Sequence, residues 1–271
     1  KMETWRLWPQ AASLRSMKVT LGSRQMAYES VGSGNPLVLL HPFPFDSRVW
    51  RDIAVVLAKR VQVITPDLRG FGKSDLGGDA FSIADLADDV AALLDALAIP
   101  TAVLGGMSMG GYVALAFASR HPQRLRALIL ADTKAAGDTP EARQGRDAAI
   151  SLVESQGVPA MLEKQLPRLL SAKAGDALRQ KVRHWGEQAP ATVLAGIRAL
   201  RDRPDRTAEL ANIKVPTLVV VGTEDVLSPP AEAQAMAARI PQARLVQIPG
   251  AGHLSHLENP DAFTAALMGF L

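Results

Sequence analysis

Cysteine is absent from the sequence, and other features that would point to particular classes of protein are also missing. Without cysteine the chain forms no disulfide and no thiolate metal site. Cysteine usage therefore does not indicate whether the protein works in an oxidising or a reducing compartment. Lysine and arginine number 30 against 27 aspartates and glutamates, which leaves a net charge of only +3. No basic run and no alternation of arginine with aromatic residues marks a nucleic-acid surface. These absences exclude a disulfide scaffold and argue against a nucleic-acid-binding protein.

A continuous apolar run of the kind that crosses a membrane is missing too. The stretch from Ala96 to Ser119 has no charged residue and is long enough for a span. It nevertheless contains Pro100 and four glycines, and it divides into a β-like run and a helix-like run. Residues 1–16 lack the apolar segment of a signal peptide, so we interpret them as an N-terminal arm or a non-native extension. We expect no membrane association and a cytoplasmic protein.

Short apolar, β-branched runs separated by amphipathic helical patterns are what the sequence does contain. The chain has 271 residues, 48% of them hydrophobic, which suffices for one large core. The clearest helical pattern opens at Ser82, a good N-cap, and places its apolar residues on one face. The apolar runs occupy 37–40, 61–65, 101–105, 127–131, 216–222 and 243–248.

Near-continuous hydrophobic strands that alternate with amphipathic helices are typical of a parallel sheet covered on both faces. We therefore predict an α/β fold with a mostly parallel, twisted sheet of about eight strands. Two further runs, around 17–21 and 25–31, alternate in polarity and are predicted to form an antiparallel edge hairpin.

The alternation of strands and helices is interrupted between residues 133 and 206. This segment is locally basic, has no convincing strand and shows several helical patterns, one of which opens at Asp138-Thr139-Pro140-Glu141. We interpret it as a helical cap inserted into an α/β core formed by residues 17–132 and 207–271. Two ordinary crossover helices with long loops are the alternative interpretation.

Gly106-Met107-Ser108-Met109-Gly110 is the sharpest chemical motif. It lies between an apolar run and a helical pattern of small residues. The glycines there permit a tight turn that holds the serine oxygen above the sheet. The following helix would direct its N-terminal amides at charge that develops on a substrate. The motif predicts Ser108 as a nucleophile, and a chance turn of small residues is the alternative.

A serine hydroxyl needs a base, and the base needs a third group to orient it. Of the five histidines, His253 follows a Gly-Ala-Gly turn after the last apolar run and is the candidate base. We expect His41 and His256 to be structural and His121 to be solvated at a helix end, while His184 could face either way. The spacing of His253 and His256 superficially suggests a metal pair. No acidic or cysteine cluster accompanies it, so we expect no metal.

Asp225 is the candidate orienting acid because it comes shortly after the strongly apolar run 216–222. Glu224 beside it and Asp132 after the run 127–131 are rivals, and a residue at 224 or 225 could instead cap the next helix. With Asp225 the chain order is nucleophile, acid and base, which is the order of one hydrolase architecture.

Over residues 17–271 the sequence resembles the α/β-hydrolase superfamily, and it is most similar to the esterase, enol-lactonase and cofactor-free haloperoxidase branch. The resemblance implies a serine hydrolase that cleaves small to medium carboxylic esters or lactones without a cofactor. It implies a triad of Ser108, Asp225 and His253, and an oxyanion hole formed by the N–H groups of Phe43 and Met109. The matching segments are HPFPFD (41–46), PDLRGFGKSD (66–75), GMSMGG (106–111), GTEDVLSPP (222–230) and GAGHLSHLENP (250–260).

The chain departs from the family pattern at Pro42, where a glycine usually follows the histidine. Glycine can adopt dihedral angles that proline cannot, so we expect the loop path to differ while the N–H of Phe43 is retained. An apolar pocket is expected under the cap, with ordinary core packing as the alternative for its members. Besides Phe43, the expected pocket residues are Phe45, Trp50, Met107, Leu227 and Leu254.

Other activities would use the same residues. Perhydrolysis, peroxide-dependent halogenation and hydroxynitrile cleavage all fit a serine triad, and a ligand receptor or signalling protein could be built on the same fold. Slow or single-turnover hydrolysis would favour the receptor. The sequence leaves the oligomeric state open.

Overall fold

An eight-stranded sheet forms the frame of the computed structural model, which describes residues 14–271. The strand order is β1-β2-β4-β3-β5-β6-β7-β8. β1 and β2 form an antiparallel hairpin, β2 pairs antiparallel with β4, and β3 to β8 run parallel. The strands are β1 (Arg15–Leu21), β2 (Arg24–Val31), β3 (Pro36–Leu40), β4 (Gln62–Pro66), β5 (Ala102–Met107), β6 (Leu125–Ala131), β7 (Thr217–Gly222) and β8 (Ala243–Ile248).

This sheet confirms the fold class predicted from the sequence, including the edge hairpin. Residues 1–13, most of the expected arm 1–16, lie outside the described residues, while Arg15 and Ser16 belong to β1.

Helices cover both faces of the sheet. α2, α3 and α7 pack into one apolar cluster, whereas α1 and α9 pack into a second cluster on the opposite face. The helices are α1 (Arg51–Leu57), α2 (Ile83–Ala96), α3 (Met109–Arg120), α4 (Pro140–Leu169), α5 (Asp176–Gly186), α6 (Pro190–Arg201), α7 (Pro230–Arg239), α8 (Ser255–Glu258) and α9 (Pro260–Met268).

Side chains of the central strands alternate between these two clusters. In β3, Val38 and Leu40 contribute to the first cluster, while Leu37 and Leu39 contribute to the second. All four are at most 1% exposed, and burial of each such side chain stabilises the fold by about 2 kcal/mol. Because both faces are buried, the strands appear in the sequence as uninterrupted apolar runs.

Residues 133–206, all of them described, contain no strand and include α4, α5 and α6. Pro140 is the first residue of α4, and the side chain of Thr139 caps the helix by accepting the N–H of Ala142 at 3.2 Å. Gly157, with φ of 83°, interrupts α4 and divides it into two helical segments. α4 packs against both α5 and α6. The interpretation of this region as a separate cap stays a prediction.

Among the described helices, none combines the length and the apolar character needed to cross a membrane.

His256 on α8 is a core residue, 1% exposed. Its ring centroid lies 4.6 Å from that of Trp50 and 5.8 Å from that of Phe263. Burial lowers the pKa of His256 to about 3, so the ring is neutral in the folded protein at ordinary pH. The contacts are those of a structural residue.

We expect His256 to make the free energy of unfolding sensitive to acid. The unfolded ring takes up a proton near pH 6.5, but the folded ring does so only near pH 3. Its contribution to stability is therefore complete above pH 6.5 and is lost as the pH falls towards 3. Between pH 7 and pH 5 the loss amounts to about 2 kcal/mol.

Urea unfolding of the wild type and of His256→Leu at a series of pH values measures this contribution. The variant should lose about 2 kcal/mol less than the wild type between pH 7 and pH 5. The same pH dependence in both proteins would contradict the assignment. Because only the slope with pH is compared, any packing change at neutral pH does not affect the result.

Candidate active site

Ser108 lies at the sharp turn between β5 and α3. Its φ of 51° and ψ of −113° place it in a conformation that costs a non-glycine residue about 1–3 kcal/mol. A Cβ atom on Gly106 would overlap the carbonyl oxygen of Gly110, and one on Gly110 would overlap the carbonyl oxygen of Leu40. Both glycines are therefore required by close backbone approaches, which is the physical reason for the motif.

We expect Gly106→Ala to destabilise the protein by about 3 kcal/mol or more, because backbone atoms cannot move aside for the new methyl group. Gly145→Ala is the matched control. A Cβ at Gly145, within α4, meets nothing within 4 Å, and alanine stabilises a helix by about 0.5–1 kcal/mol relative to glycine. Urea unfolding of both variants provides the comparison. Equal stabilities would show that the turn tolerates a side chain.

The structure brings Ser108, His253 and Asp225 together. Nε2 of His253 lies 2.8 Å from Oγ of Ser108, and Nδ1 lies 2.9 Å from Oδ2 of Asp225. The carboxylate can only accept, so Nδ1 carries the proton and Nε2 of the neutral ring is left to accept from the serine hydroxyl. Oδ1 of Asp225 accepts the N–H groups of Leu227 at 2.8 Å and Ser228 at 3.0 Å, which hold the carboxylate in place.

His253 is buried, with 3% of its surface exposed. Burial opposes a positive charge on the ring, but the charge of Asp225 and its hydrogen bond outweigh burial and raise the pKa of His253 above its ordinary value. The ring is thus a stronger base than a free histidine. The nearby charge of Arg168 acts in the opposite direction and lowers this pKa.

Asp132, the first rival for the acid, is fully buried at the end of β6. Its Oδ1 accepts the N–H of Gly222 at 2.8 Å, and its Oδ2 is hydrogen-bonded to the hydroxyl of Ser255. Burial, together with the charge of Asp225, raises the pKa of Asp132 to about 8. Within residues 14–271 Asp132 makes no hydrogen bond to His253. It instead links the end of β6 to the end of β7 and to Ser255, and its carboxyl group is largely neutral at pH 7.

Glu224, the second rival, points elsewhere. Its carboxylate pairs with Lys173 at 3.1 Å on the surface. Of the three acids considered from the sequence, only Asp225 is within hydrogen-bonding distance of His253.

The loop after β3 lies beside the Ser108 turn because Leu40 of β3 pairs with Gly106 of β5. In this loop the N–H of Phe45 donates to the carbonyl oxygen of Pro42 at 3.0 Å. The N–H of Phe43 has no acceptor among residues 14–271. Met109 is the first residue of α3, where N–H groups have no partner within the helix.

His41 fixes the start of this loop. Its Nε2 accepts the N–H of Leu68 at 3.0 Å, so the proton lies on Nδ1, which donates to the carbonyl oxygen of Pro42 at 3.0 Å. Burial lowers the pKa of His41 and keeps the ring neutral. The ring thereby joins the loop after β3 to the loop after β4.

A cavity of about 420 Å³ opens above Ser108 and His253. Phe43 and Leu227, both expected from the sequence, line it. Further lining residues are Tyr112, Leu169, Leu200, Ser228 and, on the polar side, Lys134, Asp138, Glu141, Arg146, Gln165 and Arg168.

The other four expected pocket residues do not line this cavity. Met107 forms the end of β5, and all four belong to the second apolar cluster. All four are at most 1% exposed, so they belong to the core. They are Phe45, Trp50, Met107 and Leu254.

The polar lining was missed because no motif marks it. One weak signal exists: Gln165, Arg168 and Leu169 have the i, i+3, i+4 spacing of a single helix face. That spacing places the three residues on one face of a helix, but it does not show whether this face is directed towards the cavity or towards solvent.

The model of the α/β hydrolase fold family matches residues 35–260. The chain belongs to the α/β hydrolase fold family. This α/β hydrolase is 33% identical over 258 residues to the pimeloyl-[acyl-carrier protein] methyl ester esterase of Aeromonas hydrophila, which covers 91% of this chain and 99% of that protein.

Two solved structures are similar over nearly the whole chain. A thermophilic esterase from Thermogutta terrifontis, with malate bound, has a TM-score of 0.88 and 38% identity over 95% of this chain and 97% of that one. The enol-lactonase from Burkholderia xenovorans LB400 has a TM-score of 0.87 and 28% identity over 94% and 99%. The resemblance predicted from the sequence is thereby confirmed, and the comparisons support a carboxylic ester hydrolase.

Proposed function

We propose that this α/β hydrolase cleaves carboxylic esters, either small to medium acyl esters or lactones, through an acyl-enzyme formed on Ser108. The observation that carries the proposal is the chain of hydrogen bonds from Ser108 through His253 to Asp225 at the wall of a cavity. An activated hydroxyl that faces a cavity of about 420 Å³ is suited to attack the carbonyl of a small bound ester.

In the proposed reaction His253 is the general base. Nε2 takes the proton of Ser108 as Oγ bonds to the ester carbonyl carbon, and Asp225 stabilises the resulting imidazolium. The imidazolium then protonates the leaving alkoxide. Water attacks the acyl-enzyme with His253 again as base, and the acid product leaves Ser108 free. For a lactone, alcohol and acid remain in one molecule.

The oxyanion of the tetrahedral intermediate is proposed to bind the N–H groups of Phe43 and Met109. Support comes from the N–H of Phe43, which has no acceptor within residues 14–271, and from the position of Met109 at the start of α3. Each such donor lowers the barrier by about 3 kcal/mol. His41 and the Phe45 to Pro42 hydrogen bond hold the donor in place before the substrate binds.

The substrate class follows from the cavity and the relatives. Phe43, Leu200 and Leu227 supply apolar surface next to Ser108. One relative is named as an esterase of a methyl ester and another as an enol-lactonase, which supports a small ester or lactone here. Perhydrolysis and hydroxynitrile cleavage would use the same triad, and nothing in residues 14–271 favours either. The cytoplasmic location stays a prediction.

Replacement of Ser108 tests the proposal. Ser108→Ala removes the attacking oxygen and should lower kcat/KM for p-nitrophenyl butyrate and for a small lactone at least about 1,000-fold. Ser228→Ala is the control, because its hydroxyl also belongs to a residue of the cavity wall and has no partner among the described residues. That variant should stay within a few-fold of the wild type. Undiminished activity of Ser108→Ala would rule out the serine mechanism.

The two buried aspartates provide a matched pair. Asp225→Asn should lower kcat about 10,000-fold, because asparagine favours the wrong tautomer of His253. Asp132→Asn should stay within a few-fold, since the amide oxygen can accept the N–H of Gly222 and the amide nitrogen can donate to Ser255. Steady-state rates on the same ester measure both. The reverse ranking would identify Asp132 as the orienting acid.

A further inference from the structure

Two cationic side chains of the cavity wall, Lys134 and Arg168, have no hydrogen bond or ion pair within residues 14–271. Lys134 follows β6 and is half-buried, whereas Arg168 lies on the second segment of α4 and is exposed. Several other described lysines and arginines also lack such a partner, but of all these cations only Lys134 and Arg168 line the cavity that contains Ser108.

The acids of the same wall do not neutralise these cations. The carboxylate of Asp138 forms ion pairs with both Arg146, at 3.0 Å, and Arg203, at 2.6 Å. It therefore does not pair with Lys134 or Arg168. Glu141 is exposed in the first turn of α4, where its pKa is lowered by hydrogen bonds at the helix N-terminus. The wall around Ser108 therefore carries an excess of positive charge.

Arg168 also has a small electrostatic effect on His253. Burial lowers the pKa of His253, Asp225 and Asp132 raise it, and the charge of Arg168 lowers it slightly. The proposed reaction requires an imidazolium at His253, which a nearby guanidinium disfavours. An anion bound to Arg168 would remove this cost, whereas a neutral substrate would leave it in place.

We propose that this cavity selects esters and lactones that carry a carboxylate remote from the bond to be cleaved, with Arg168 as its main contact and Lys134 as its second. The inference rests on the proposed ester hydrolysis. A guanidinium matches a planar carboxylate through two parallel hydrogen bonds, and the positive wall concentrates anions near Ser108.

The test uses monomethyl esters of the dicarboxylic acids from succinate to pimelate. Each monoanionic substrate is compared with a neutral methyl ester of the same carbon-chain length, in which a carboxamide replaces the remote carboxylate. Proton release in a pH-stat at low ionic strength measures kcat/KM for the full-length protein. For the best chain length, the wild type should prefer the monoanion about 10-fold, and 0.5 M NaCl should reduce that preference.

Three charge variants assign the preference to residues. Arg168→Gln should lower kcat/KM for the monoanion about 10-fold and affect the neutral amide ester much less, because that ester has no carboxylate for Arg168 to bind. Lys134→Met should lower the monoanion rate about 3-fold. Lys164→Gln is the control, since it removes an exposed charge from α4 that does not line the cavity, and both rates should persist.

The outcomes separate this inference from the proposed function. If every amide ester is cleaved as fast as its monoanion by the wild type, the carboxylate site is refuted and ester hydrolysis stands. Equal losses on both substrates in Arg168→Gln would also refute it, since that pattern indicates a structural role. If the wild type cleaves no ester of the series and no p-nitrophenyl ester, the proposed function fails and the inference fails with it.

Discussion

The close approach of two backbone segments, α3 and the end of β3, is the constraint on which the rest of the site depends. Gly110 lies against the carbonyl oxygen of Leu40 with no room for a side chain. This contact fixes the distance between the turn that carries Ser108 and the loop that carries Phe43. Phe43 and Ser108, from distant parts of the chain, therefore line the same cavity.

A second set of contacts holds the partners of Ser108. Asp132, Asp225 and the loop of His253 follow β6, β7 and β8, three neighbouring parallel strands. The Asp132 carboxyl joins the end of β7 to Ser255, two residues after His253. Two buried carboxyl groups thus have different roles. One accepts a hydrogen bond from the imidazole of His253, while the other connects the loops and is predominantly protonated at neutral pH.

The sequence predicted the fold and the residues that meet at Ser108, but of the cavity wall it predicted only Phe43 and Leu227. Strands buried on both faces appear in the sequence as plain apolar runs. The turn around Ser108 is recognisable because close backbone contacts require glycine at positions 106 and 110. Trp50 and Phe45 were expected in the pocket because apolar composition does not distinguish a core from a cavity wall. Arg168 and Lys134 belong to no motif. Arg168 reaches the cavity from α4, which packs against α5 and α6, whereas Lys134 follows the end of β6.

The break in α4 at Gly157 divides the part of the cavity wall that α4 contributes into two segments. Glu141 and Arg146 lie on the segment before the break, and Gln165 and Arg168 lie on the segment after it. Because no continuous helical axis connects them, a substitution that tilts one segment is not transmitted rigidly to the other. Variation can therefore change the lining residues on one segment of α4 while those on the other keep their position, which makes Gly157 a natural boundary for libraries that vary this cavity.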